Sequence, residues 1–322
     1  MKCTVVVPVY NSEETICACL EALVGQEGVE LNRDYTILLV NDGSTDGTLD
    51  IARRFPIGIL NMPVNSGRLA ARLAGARVAM TSPIFFVDSR VVMERDAVAQ
   101  IEELPNNECF MCVIREPAKH ELDWFNRTFH LIRSRYYTVN HEFGGIIDKS
   151  NFKRARKGTT AIVIDRDTFI DINGRIGYQR VNDDTLLFYH LVYDLDGKLR
   201  VSRKVMGSYW PRRNSNKLMV WLLNRGSVFA DFYLISGGFY HKFFITFLLM
   251  VCTGIFFAFC GYAGVVFSLF FCLYLGICGF FSREPKDFMI LMLVLPMACA
   301  VFGAGILRYF WKAFTGSIRI ER

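Results

Sequence analysis

From Phe243 to Phe281 the chain runs for 39 residues without an Asp, Glu, Lys or Arg, and from Phe288 to Leu307 for another 20. About 20 apolar residues cross the hydrocarbon core of a bilayer, so runs of this length are expected in lipid rather than in a soluble core. The first run is too long for one helix and is expected to break near Gly261-Tyr262-Ala263-Gly264. Three apolar segments result, at about 243–259, 262–281 and 288–307.

The remainder is of different character. Of the net charge of +6, six basic residues (Arg283, Lys286, Arg308, Lys312, Arg319, Arg322) and three acids (Glu284, Asp287, Glu321) follow residue 242, leaving +3 for the part before it. Met1-Lys2 leads directly into a strand pattern, without the basic region, apolar run and small-residue cleavage site of a signal peptide. Residues 1 to about 240 are therefore expected in the cytoplasm, with the C-terminal segments as a multi-pass anchor in the inner or plasma membrane. Three full spans would put the basic tail outside. A hairpin followed by a re-entrant or tilted segment, helped by Pro296, Gly303 and Gly305, would keep it inside, and both arrangements stay open. The ten cysteines fit a reducing compartment. Cys109 and Cys112 have CxxC spacing but no second pair, which argues for buried thiols rather than zinc.

Thr4 to Tyr10 is a β-branched run suited to a strand buried on both faces. It ends in Asn11-Ser12-Glu13-Glu14, with Ser12 as the expected N-cap of a helix carrying Ile16, Leu20 and Leu23. A second strand, Tyr35 to Val40, runs into the polar turn Asn41 to Thr48, and a short third is expected at Ile57 to Leu60. Asn65-Ser66-Gly67-Arg68 then opens an alanine-rich helix, and Pro83 to Asp88 forms a strand that stops on an acid. Strand and helix alternate, which predicts an α/β fold with a parallel sheet covered on both faces. Ligands of such sheets bind beyond the carboxyl ends of the strands, where Tyr10-Asn11, Asp42-Gly43 and Asp88-Ser89-Arg90 all fall. A dinucleotide fold would need G-x-G-x-x-G after the first strand, and Pro8 to Glu13 contains no glycine.

Val7-Pro8-Val9-Tyr10-Asn11, then Val40-Asn41-Asp42-Gly43-Ser44-Thr45-Asp46-Gly47-Thr48, then Asn65-Ser66-Gly67 with Ala71-Arg72, then Val87-Asp88, resemble the family 2 glycosyltransferases. The resemblance implies the GT-A fold, a Rossmann-like nucleotide-binding sheet, followed here by C-terminal transmembrane helices. Together with the uncharged runs and the amphipathic stretch before them, it gives an expected cytoplasmic catalytic domain over 1–215, an amphipathic interfacial segment over 216–240 and a membrane domain over 241–322. Pro8, Tyr10, Asn11, Asp42, Gly67, Arg72, Asp88 and Arg90 would surround a nucleotide-sugar. A carboxylate such as Asp42 can accept from a base N–H or a ribose hydroxyl, with Asp46 left to cap the next helix, and Arg72 can reach the base or the diphosphate. Arg68 and Arg77 are expected on the exposed side of that helix.

The family pattern calls for a second carboxylate two residues after Asp88, to share a divalent cation (Mg2+ or Mn2+), and Arg90 stands there instead. Asp88 is thus the single expected metal ligand, and Arg90 is expected to contact the diphosphate and lessen metal dependence. The membrane exopolysaccharide subgroup, which the later segments also resemble, includes members without that second acid.

A helix is expected over Glu94–Leu104 and a strand over Cys109–Ile114. Trp124 to Tyr137 places Arg127, Arg133 and Arg135 at helical spacing among aromatics, and Lys149 to Lys157 holds five basic residues and no acid. Either stretch could face an acidic acceptor, anionic lipid or solvent. Thr160 to Ile164 reads as a strand and Gly174 to Arg180 as a loop. Val181-Asn182-Asp183-Asp184-Thr185 resembles the family's acidic motif at a helix start, with Asp184 as the implied catalytic base and Asp183 where Glu is usual. Lys198 to Arg225 has eight basic residues and no acid; by loose analogy with the family, Trp221 and Arg225 would gate donor and acceptor.

The expected activity is inverting transfer of a sugar from a nucleotide-sugar, a UDP-sugar by expectation, to a membrane-associated glycan or lipid-linked acceptor, as in polysaccharide biosynthesis. Transfer to polyprenyl phosphate and a non-catalytic nucleotide-sugar-binding subunit are the alternatives. Membrane lipid is an expected partner and nucleic acid is not; oligomeric state is not readable.

Overall fold

The structure, a computed structural model, describes residues 2–101, 108–136, 145–152, 154–176, 183–211, 215–230, 249 and 251–316. It divides into two bodies: Met1–Pro117 with Tyr137–Pro211, and Ala118–Tyr136 with Arg212–Arg322.

The first body opens as β1 (Cys3–Val9), α1 (Ile16–Val24), β2 (Tyr35–Asn41), α2 (Thr48–Ala52), β3 (Gly58–Asn61), α3 (Arg68–Val78) and β4 (Ile84–Val87). These strands pair in parallel, with Val9 opposite Asn41 and Val6 opposite Phe86, so their carboxyl ends share one edge. β1 and β4 are buried on both faces, as their continuous apolar runs imply, whereas β3 at the sheet edge is only partly covered; burying Phe85 or Phe86 contributes about 1.5–3 kcal/mol each.

Beyond β4 the sheet departs from the expected parallel pattern. β5 (Val91–Met93), β6 (Glu108–Arg115), β7 (Gly145–Ile147), β8 (Ala161–Ile164) and β9 (Lys198–Tyr209) extend it to nine strands, in the order β3-β2-β1-β4-β8-β6-β9-β5 with β7 also on β9. β8 is antiparallel to both β4 and β6, and β9 is antiparallel to β5 and β7. The sheet is therefore mixed: no described strand from β4 onward pairs with its immediate successor in the chain, and β8 enters antiparallel between β4 and β6. The expected helix over Glu94–Leu104 is absent from its described part: after β5 the chain runs in turns through Gln100, and residues 102–107 lie outside the described residues.

Among the remaining helices of the chain, α4 (Trp124–Tyr136) belongs to the second body, while α5 (Arg166–Ile176) and α6 (Asp183–Tyr189) belong to the first. α5 takes up the start of the expected Gly174–Arg180 loop, and 177–182 lie outside the described residues. α6 continues into one π turn, His190–Asp194. Cys109 and Cys112 are buried free thiols in β6, pushed well above the usual thiol range by burial, as expected of structural cysteines.

The second body holds α4, α7 (Ser215–Phe229), α8 (Val251–Phe281) and α9 (Pro285–Phe314). α8 and α9, with mean hydropathies of 2.2 and 2.5, are long and apolar enough to cross a membrane. The expected break at Gly261 is present inside α8, where φ is 93°. Most of 243–250 lies outside the described residues, so the segment expected over 243–259 is described only in its later part. α7 packs along α9: a Cβ on Gly226 would sit 2.0 Å from the Phe302 carbonyl oxygen, and one on Gly305 2.0 Å from that of Leu223. Only glycine permits this approach of two helical backbones. α4 joins the foot of α9 through Arg127, which bonds Asp287 at 2.6 Å and Glu284 at 3.3 Å, and through Leu131 on Leu291 and Cys278.

Candidate active site

The first two turns beyond the strands are stitched together. Asn11 adopts φ 47°, a left-handed conformation that asparagine tolerates. Its N–H donates to Ser44 Oγ at 3.0 Å, and its Oδ1 accepts the Thr45 N–H at 2.8 Å. Ser12 N–H donates to Thr48 Oγ1 at 2.7 Å. Ser12 is not the side-chain cap expected of it; its hydroxyl shares a hydrogen bond with Ser89 Oγ at 2.9 Å instead, tying the first turn to the Asp88 turn. Asp46 does cap locally, accepting the Thr48 N–H at 3.1 Å and the Thr48 hydroxyl. Burial alone would raise its carboxyl, but those bonds outweigh burial and hold it below the usual range.

Asp42 is 3% exposed, and both carboxylate oxygens are engaged: Oδ1 accepts from Ser66 N–H at 2.7 Å and Oδ2 from Gly67 N–H at 2.9 Å. It therefore anchors the Asn65–Gly67 turn, and each oxygen keeps a further acceptor direction. Gly43, at φ 70°, is where the two turns touch: a Cβ there would lie 2.8 Å from Asn65 N. Gly67, at φ 92°, then opens α3.

α3 sits tightly on the sheet, since a Cβ on Gly75 would meet Val6 Cγ1 at 2.5 Å. That approach carries Arg72 into the interior, at 3% exposure, while Arg68 and Arg77 stay exposed as expected. Arg72 Nη2 donates to Asp88 Oδ1 at 3.0 Å and to the Thr159 carbonyl at 3.1 Å. Asp88 itself is held by its N–H on the Thr160 carbonyl at 2.9 Å, and its side chain stays 39% exposed. An arginine-neutralised carboxylate is thus presented at the strand edge. Arg90 is half-buried, and its carbonyl accepts the Trp210 N–H at 2.9 Å. Pro8 is half-buried in β1 beside Val40, and Tyr10 is exposed just beyond the strand.

The donor set bears directly on a divalent cation. Among the described residues no three His, Cys, Asp or Glu side chains gather as a metal cluster. Asp88 offers a single carboxylate with one oxygen on Arg72. This fits a hard cation that keeps its waters and arrives with substrate phosphates, and not a protein-made cage.

Asp183 and Asp184 open α6, at the helix start the sequence pattern indicates. Trp221 and Arg225 lie on α7, in the second body, where the Arg225 guanidinium stands 5.4 Å from the Trp221 ring and Phe129 meets that ring edge-on at 5.4 Å.

Thr159, which holds Arg72 through its carbonyl, joins this neighbourhood without a signal in the sequence, whereas Ser89 lies in the Asp88-Ser89-Arg90 turn and Lys157 in the basic Lys149–Lys157 stretch. Lys157 lies in the turn before Thr159, its ammonium on the Phe152 and Ala155 carbonyls and 4.1 Å from the Phe152 ring centroid. Burial pushes it from the usual 10.5 down to about 8.

With this geometry established, the likenesses to known proteins take on meaning. A sequence model of the glycosyl transferase family 2 domain matches residues 4–169, which takes in every turn described above as far as α5. A poly(ribitol-phosphate) beta-glucosyltransferase of Bacillus spizizenii is 40% identical over 95 residues, covering 28% of this chain and 15% of that protein. A dolichyl-phosphate beta-glucosyltransferase of Trichomonas vaginalis is 32% identical over 109 residues, covering 31% and 32% respectively. The chain thus matches a third or less of the length of these two relatives. Among solved structures, residues 1–349 of TarS from S. aureus align with a TM-score of 0.47 at 17% identity, over 71% of this chain and 64% of that one.

Proposed function

This chain belongs to glycosyl transferase family 2, and we propose that it moves a sugar, with inversion, from a UDP-sugar to a membrane-associated glycan or lipid-linked acceptor. The observation that carries this reading is the Arg72–Asp88 pair at the strand edge, beside a loop that Asp42 holds in place. The donor diphosphate needs positive charge against it. The buried Arg72 and the neighbouring Arg90 supply that charge, with Asp88 as the one protein carboxylate that would hold a Mg2+ or Mn2+ delivered with the diphosphate. Such a cation would stabilise the leaving diphosphate. Pro8, Tyr10, Asn11 and Gly67 line the nucleotide, and the remaining acceptor directions of Asp42 take a base N–H or ribose hydroxyl.

Asp184, with Asp183 beside it, removes the proton from the acceptor hydroxyl as its oxygen forms the new bond to the anomeric carbon and the diphosphate leaves. General-base assistance of this kind is worth roughly 10²–10⁴-fold. α8 and α9 anchor the chain in the plasma membrane with the catalytic body in the cytoplasm, an orientation supported by the basic residues flanking the apolar runs.

A second reading, transfer to a polyprenyl phosphate, is favoured by the likeness to the dolichyl-phosphate enzyme. Its acceptor oxygen is already anionic and needs no strong base. Screening nucleotide-sugars with the detergent-solubilised chain tests both. UDP release that depends on one sugar supports both readings, and acid-labile label extracted into organic solvent selects the second. No binding of any nucleotide-sugar would overturn both.

A further inference from the structure

We propose that a cavity at the foot of α9 binds the phosphate headgroup of an anionic membrane lipid, an inference that rests on reading α9 as a membrane span. The cavity, open and about 590 Å³ in volume, lies wholly within the helical body, between the starts of α4, α7 and α9. That size is within the range of small-molecule sites, roughly 300–1,000 Å³.

Its walls are of two kinds. Leu122, Trp124, Leu218 and Ile290 provide an apolar side, and Lys286 and His120 a basic one. The other charged groups at the cavity are committed. Arg127 is neutralised by Asp287, itself fully buried, and by Glu284. The Asp123 oxygens accept from the Asn126 N–H at 2.8 Å and from its side-chain amide at 2.7 Å. Lys286 and His120, by contrast, are exposed and make no hydrogen bond or ion pair among the described residues. The uncommitted groups are therefore three ammonium N–H donors and an imidazole, which suit phosphate oxygens.

Position selects a lipid as the source of the phosphate. Lys286 precedes the 20-residue uncharged run that begins at Phe288, so in a spanning helix it falls at headgroup level. Trp124, 56% exposed on the same cavity, is the residue type that settles at that level, with its ring toward acyl chains and its N–H toward water. A headgroup would meet Lys286 and His120, and the first carbons of its chain would lie against Trp124 and Ile290.

The test uses the full chain in vesicles and reads tryptophan fluorescence against lipids brominated in the acyl chain. The contribution of Trp124 is isolated by difference from Trp124→Phe. Brominated phosphatidylglycerol is expected to quench Trp124 at levels where brominated phosphatidylcholine does not. Lys286→Gln is expected to weaken this about fivefold, and Lys312→Gln, near the far end of α9, to leave it unchanged. Equal quenching of Trp124 by both lipids, or indifference to Lys286→Gln, would overturn the proposal. So would displacement of the lipid by soluble glycerol phosphate at equal concentration, which would assign the site to a free phosphate. Quenching of no tryptophan by either lipid would instead overturn the membrane reading itself. Lys286 is exposed, so its replacement is expected to fold; should it not, His120→Ala carries the same comparison with the same outcomes.

Discussion

Arg72 and Asp88 stand 16 positions apart and meet at 3.0 Å, one almost wholly buried on α3 and the other half open at the end of β4. The same guanidinium nitrogen holds the Thr159 carbonyl at 3.1 Å, so one arginine ties a helix, a strand end and the loop before β8. Arg72→Met should lower donor turnover at least about 100-fold, by removing both the diphosphate's cation and the partner that orients Asp88. Stability should fall by less than the 3–5 kcal/mol typical of a fully buried pair, because water screens Asp88. Steady-state kinetics and a urea midpoint measure the two effects. Turnover within a factor of about two of wild type would remove Arg72 from the site.

Arg90→Asp would place a second carboxylate two residues from Asp88, enough to share a cation. The variant should depend more steeply on Mg2+ or Mn2+ than wild type does. Turnover across a chelator titration, with each metal added back, checks this. Wild-type activity lost completely in chelator and restored only by metal would show that Arg90 substitutes for none of the cation's charge.

Asp184→Asn removes the proposed base while keeping the side-chain volume. Turnover should fall roughly 10²–10⁴-fold with donor affinity nearly unchanged. Equilibrium titration of UDP-sugar alongside kcat separates the two. Unchanged turnover would remove Asp184 from the role of base.

Gly226 and Gly305 meet backbone to backbone between α7 and α9. Gly305→Leu should force these helices apart and cost about 1–3 kcal/mol or more. A lower melting temperature in detergent is the expected readout. An unchanged melting temperature would mean that α7 and α9 do not pack this closely.

Lys157 has a folded-state pKa of about 8, below the ordinary lysine value of 10.5, because of burial. Between those two values the unfolded chain binds more protons than the folded one, so this group's contribution to stability rises with pH across about 8 to 10.5. Lys157→Met should remove that rise. Urea midpoints of the two proteins at pH 7.5 and pH 10 form the comparison, and parallel profiles would refute the assignment.

Much was legible from local pattern. The β-branched runs, the polar turns after them and the uncharged C-terminal run from residue 251 each depend on neighbours close in sequence, and within the described residues each appears where its pattern indicates. Family membership was legible for the same reason, because its signature lies in those turns.

What only the tertiary structure decided involves partners distant along the chain. Local pattern assigned Ser12 to a helix cap, whereas its hydroxyl is satisfied by Ser89, 77 positions on. Asp42 is read alone as a ligand group, yet its oxygens hold the amides of Ser66 and Gly67. β9 alternates weakly in burial and carries many basic residues, so its strand character emerges only when β5, β6 and β7 supply its hydrogen bonds. α4 belongs with the C-terminal helices because Arg127 finds Asp287 across 160 positions. Periodicity records which face a residue buries. It carries no information about which distant group will satisfy a charge once that face is buried, and a buried charge must be satisfied.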